Sequence, residues 1–154
     1  MGFRTQIDNI LSRTLVLIMS VMVINVLWQV FTRYVTGDPS AFTDELARYL
    51  MIWIGVLGAA YVSGKNLHVA IDILPSRTNT KTQKKLKILV TVLIILFVFF
   101  AFVIGGSRLV YISYILGQQS PALQIPLAVV YVILPVSGLL IMYYKIADLK
   151  NLRS

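Results

Sequence analysis

"ILVTVLIILFVFFAFVIGG", residues 88–106, holds no charged residue, and its one polar side chain is Thr91. A helix on the surface of a soluble protein would return a polar residue every third or fourth position, and a strand of a membrane barrel would alternate. This run is apolar all round, as a helix facing lipid is. A hydrocarbon core of about 30 Å needs roughly 20 helical residues. Stretches of that kind lie at about 10–35, 43–63, 86–112 and 126–144. The reading is an all-α integral membrane protein with four transmembrane helices and room for short interfacial helical segments, forming a single membrane domain over 1–154. Arg4 and Arg13 precede "TLVLIMSVMVINVLWQVF", which has the look of a signal peptide but is too long and lacks a small-residue cleavage pattern, so an uncleaved span is expected.

Composition supports the same class. The chain is 58% hydrophobic and only 13% charged, with a mean hydropathy of +0.82. With 154 residues, four spans leave no length for a sizeable soluble domain. Cysteine is absent, which excludes disulfides, thiolate metal sites and thiol nucleophiles. His68 is the single histidine, so paired-histidine haem ligation within the chain is excluded too. Neither a cofactor nor a catalytic, metal or substrate-binding residue is expected, and the chain does not read as an enzyme.

The net charge of +8 reads as topology and not as nucleic-acid binding. Eleven of the fourteen Lys and Arg fall on the N-terminal flank (Arg4, Arg13), the loop after span two (Lys65, Arg77, Lys81, Lys84, Lys85, Lys87) or the tail (Lys145, Lys150, Arg153). Arg33 and Arg108 stand opposite, with Arg48 just inside span two. Positive flanks are retained in the cytoplasm, so both termini are expected there. Lys81, Lys84, Lys85 and Lys87 are placed to meet anionic lipid headgroups.

The loops are punctuated. "GDPSA" at 37–41 marks a turn, with Asp38 as a cap and Pro39 in a first turn. Thr80 and Gln83 make a capping-box pattern. An unbroken helix from Leu86 to Leu116 would be about 46 Å long, so it must tilt, protrude or break at Gly105-Gly106. Pro135, followed by Ser137-Gly138, predicts a kink in span four.

Polar residues at the ends of spans need a reason. In "DELARYL", 44–50, the two carboxylates occupy a first turn, where the helix dipole favours them, and Glu45 is spaced to pair with Arg48. Arg48, Ile52, Gly55, Ala59 and Val62 share one stripe, and small residues there let another helix approach. A neutralised helix start and a partner-facing surface both remain open. On helix one, Asn25, Gln29, Thr32 and Thr36 form a polar stripe that packs within the chain or against a second subunit. With Trp53, these give a candidate partner interface of Asn25, Gln29, Glu45, Arg48, Trp53, Gly55 and Ala59. His68 and Asp72, four apart, are spaced for a structural hydrogen bond. Trp28, Trp53, Tyr34, Tyr49, Tyr143 and Tyr144 fall near interfacial aromatic belts.

The stretch 44–74, "DELARYLMIWIGVLGAAYVSGKNLHVAIDIL", resembles the small membrane subunit (DctQ-like, Q subunit) of tripartite ATP-independent periplasmic (TRAP) transporters. Glu45, Arg48, Trp53, Gly55, Gly58, Gly64 and His68 carry the likeness; in "GKNLH" three residues separate Gly64 from His68, where many relatives place glycine nearer the histidine. The resemblance implies a chain of the bacterial inner membrane that works beside a large polytopic subunit. That subunit would hold the sodium and substrate sites, and a periplasmic substrate-binding protein would deliver an organic acid of the sialic acid or C4-dicarboxylate class. The small subunit would brace the scaffold. A generic scaffold or assembly subunit of another complex is the alternative reading.

Overall fold

The computed structural model describes residues 3–37, 40–65 and 80–153. Asp38, Pro39, His68 and Asp72 lie outside them, as does Arg77, and of the Lys81 side chain nothing is described. Helix α1 (Phe3–Phe31) runs into a π turn at Thr32–Thr36 and stops at Gly37, whose φ of +71° a side chain would resist. Ser40 caps α2 (Ala41–Gly64), its hydroxyl accepting from the Thr43 N–H at 3.4 Å. Then come α3 (Thr80–Val98), a π stretch (Phe99–Gly105) and α4 (Gly106–Ile115), continuous as one rod. A tight hairpin over 117–126 leads to α5 (Leu127–Tyr131) and α6 (Ile133–Arg153). Four of these stretches are long and apolar enough to cross a membrane: Arg4–Val35, Ala41–Gly64, Thr82–Ile115 and Leu127–Lys150.

The alternatives for the third span narrow, and the disturbance expected around Pro135 is located. The third span does not break at Gly105-Gly106. It loosens into i→i+5 bonding over the preceding turns, and Gly106 serves a close approach, since a Cβ there would lie 3.0 Å from Leu134 Cβ and 3.1 Å from Pro135 Cδ. The fourth span is interrupted one turn ahead of Pro135, at Val132, because proline offers no N–H to the carbonyl of Tyr131 four residues back. The first span also begins earlier than expected, at Phe3, and the last continues to Arg153. The third reaches 34 residues, about 51 Å of helix, so tilt or protrusion is required.

Helices α2 and α6 form the spine. On one flank α1 joins them in a cluster of Leu11, Ile18, Leu57, Ile133 and Tyr144; on another α3 joins them through Ala60, Val98 and Ile141. In lipid such contacts gain little from the hydrophobic effect, so close packing of small residues matters more. Buried Ala60, Ser63, Ser113 and Ser137 mark these approaches. At Gly138 a Cβ would come within 2.8 Å of Phe102, so glycine there lets α6 touch the π stretch.

Candidate interaction site at the ends of the bundle

At the end where α2 begins, polar groups of α1, α2 and the 117–126 hairpin interlock. Glu45 uses both oxygens: Oε1 accepts from the Tyr49 hydroxyl at 2.7 Å, and Oε2 accepts the backbone N–H of Ala122 at 2.7 Å and of Leu123 at 3.0 Å. A loop that would otherwise leave these donors to solvent is thereby pinned near the start of a helix. Asp44 accepts from Gln29 Nε2 at 3.2 Å on one oxygen and from the Arg48 guanidinium on the other. The expected Glu45–Arg48 pair is therefore corrected: Arg48 pairs with Asp44, four residues back. Residues four apart on a helix lie closer in angle than residues three apart, and Glu45 is already engaged by the hairpin.

Deeper on the same side, the buried Asn25 amide donates to the Thr43 carbonyl at 2.7 Å, and Trp53 Nε1 donates to the Val130 carbonyl at 3.1 Å. An open groove of about 410 Å³ lies beside the first of these bonds, lined by Val21, Ile24, Trp28, Phe42 and Leu46. Asn25, Gln29, Glu45 and Trp53 thus join elements of the chain to one another. Arg48, Gly55 and Ala59 instead occupy an exposed face of α2, with the Arg48 side chain 72% exposed and open space beyond Gly55. Ile52, expected on that stripe, packs into the core. Lys84 and Lys85 are exposed in the first turns of α3, and Lys87 is half-buried with an interaction inside the chain.

The opposite end carries a second cluster that the sequence did not single out. Tyr144 is fully buried between helices, and its hydroxyl donates to Asp8 Oδ1 at 2.5 Å. Lys65 Nζ stands 3.6 Å from the other oxygen of Asp8. Arg4 donates to the Gly64 carbonyl at 2.6 Å and to Asp148 Oδ1 at 3.1 Å, with its guanidinium 5.5 Å from the centre of the Tyr144 ring. Gly64 is the last residue of α2, so Arg4 satisfies a terminal carbonyl and meets the negative end of the helix dipole. The buried Lys145 Nζ lies 3.8 Å from Asp148 Oδ2. Opposite charges at helical spacing, Arg4 with Asp8 and Lys145 with Asp148, were the available signal. Every carboxylate in the two clusters is held by fixed donors, which makes them mechanical joints between helices.

A family model described as "Tripartite ATP-independent periplasmic transporters, DctQ component" matches residues 22–154. The chain is 35% identical over 60 residues to a Haemophilus influenzae protein named as a TRAP transporter small permease protein, covering 39% of this chain and 37% of that one. It is 30% identical over 80 residues to the sialic acid TRAP transporter small permease protein SiaQ of Vibrio cholerae, covering 52% of this chain and 46% of that one. The matched segments thus span less than half the length of either relative.

Proposed function

The chain belongs to the family of DctQ components of tripartite ATP-independent periplasmic transporters, and on that premise we propose that it is the small membrane subunit of a sodium-driven, binding-protein-dependent importer of an organic acid. Its place is the bacterial inner membrane, as a multi-pass protein. It braces a large polytopic subunit that holds the substrate and ion sites, and a periplasmic substrate-binding protein meets the assembly transiently. Sialic acid is the first substrate to try, because the SiaQ relative is named for it; C4-dicarboxylates are the second. The observation that carries the reading is the pair of clasps: α1, α2, α6 and the hairpin are tied at both ends, while the exposed face of α2 with Arg48, Gly55 and Ala59 is left for another helix. A body fastened in this way suits a fixed support better than a moving part.

The orientation that goes with this reading puts both termini in the cytoplasm and the Glu45 end in the periplasm, as the distribution of Lys and Arg favours. Lys84 and Lys85, exposed on α3, then meet anionic headgroups at the cytoplasmic face.

The deciding experiment reconstitutes the complex with and without this chain, in vesicles with an imposed sodium gradient and the binding protein outside. Uptake of labelled sialic acid should need the chain, and C4-dicarboxylate should not compete. Uptake by the large subunit alone at the full rate would remove the bracing role. The native chain has no cysteine, so single variants Lys81→Cys and Gln118→Cys report the topology directly. Gln118→Cys should label from outside in intact cells, and labelling of Lys81→Cys from outside would reverse the assignment.

A further inference from the structure

Among the described arginines, Arg108 is in an unusual position. It lies in α4 within the Thr82–Ile115 span, it is exposed, and no hydrogen bond or ion pair reaches it among the described residues. Seven residues separate it from Ile115, roughly 10 Å of helix, and 26 separate it from Thr82, roughly 39 Å. A side chain on a helix leans toward the N-terminus. For Arg13 and Arg48 that lean points to the nearer end of their helix, where headgroups or, for Arg48, Asp44 wait. Arg33 lies at the very end of its span. Arg108 alone leans away from the headgroups closest to it, back toward the charge-free run 88–106, where an uncompensated charge is unfavourable. Around it an exposed apolar face continues at helical spacing through Phe97, Phe100, Ile104, Tyr111 and Ile115.

We propose that this face of α3–α4 is where a membrane-embedded helix of the large subunit packs, and that the helix presents a carboxylate at the depth of Arg108. Charge complementarity selects the occupant: a lipid tail offers nothing to a guanidinium, and a headgroup phosphate lies opposite to the lean of the side chain. The inference rests on the proposed function for the existence of the large subunit and adds which face meets it. It places a contact on α4 that is separate from the Arg48 face of α2.

The test uses the co-expressed complex, with the tag on the small subunit and a photo-crosslinking amino acid in place of Tyr111 in a chain that keeps Arg108. Arg108→Leu should lower recovery of the large subunit by more than about tenfold, and Arg108→Lys should restore most of it, since loss of one partner from a buried pair leaves the other charge unmatched. Illumination should join position 111 to the large subunit. If Arg108→Leu does not accumulate in the membrane, the crosslink decides: a product with the large subunit supports the face, and its absence overturns it. Wild-type recovery with Arg108→Leu, or crosslinks to lipid alone, overturns the proposal while leaving the proposed function standing. Failure of the wild-type chain to bring down any large subunit would instead remove the reading beneath it.

Discussion

The two ends of the bundle are fastened by different means. At the Glu45 end, bonds within the start of α2, Asp44 with Arg48, Glu45 with Tyr49 and Ser40 with Thr43, stand beside longer ones from Gln29 to Asp44 and from the Ala122 and Leu123 amides to Glu45. At the Tyr144 end, the bonds join residues 136 and 144 positions apart, and they meet around a ring with no exposed surface. Polar groups within one helical turn can form whatever the rest of the chain does, whereas the Tyr144 cluster exists only once α1, α2 and α6 have come together. The first end is therefore part local and part assembled, with an exposed surface, and the second is wholly a product of assembly.

The largest effect expected from breaking this contrast is at Gly64. A Cβ there would sit 2.7 Å from Tyr144 Cζ, so Gly64→Leu must separate α2 from α6 or displace the ring. The isolated subunit should lose about 3 kcal/mol or more, seen as a fall in thermal stability in detergent; an unchanged melting curve would mean that the ring is not confined. Next comes Arg4→Ala, which removes the bonds to Gly64 and Asp148. The pair is only partly buried, with side chains 34% and 14% exposed, so a loss of about 1–3 kcal/mol is expected on the same assay.

At the other end, Glu45→Ala should leave global stability close to wild type and release the hairpin. Hydrogen exchange at the Ala122 and Leu123 amides should accelerate while the amides of α6 keep their protection. Faster exchange in α6 would show that the two ends are not independent. The smallest effect on the isolated subunit belongs to Arg48→Ala, whose ion pair is at the surface. No change in melting is expected, but recovery of the large subunit should fall if this face contacts it. Equal recovery would limit the α2 face to lipid.

The same contrast explains how much the sequence disclosed. The four spans were legible because lipid requires continuous apolar helix, and any sequence meeting that demand shows it in one dimension. The function of "DELARYL" was half legible. Helical spacing indicates that Arg48 finds a carboxylate, but not that Glu45 is claimed by N–H groups 77 and 78 residues away, which leaves Asp44 to the arginine. The Tyr144 cluster was hidden because its members read as topology charges and belt aromatics. Nothing local distinguishes Tyr144, which is buried, from Tyr143, which is 37% exposed. Pro135 marks the disturbance in the sequence, and the interruption falls one turn earlier because the carbonyl it abandons lies four residues back.

The π stretch at Phe99–Gly105 has a consequence for how this helix can change over time. A turn bonded i→i+5 accommodates a residue more than an α-helical turn would, so it absorbs an extra residue between α3 and α4 without turning one against the other. Deleting one residue there would let the rod close into regular helix at little local cost, and because a turn closes the circle with either bonding, everything beyond would keep its facing. Gly106 would stay against Pro135 and Arg108 would keep its face, with the rod one residue shorter. Shortening by a single position should therefore be better tolerated in this segment than in the regular helix on either side, where it would turn everything beyond by about 100°.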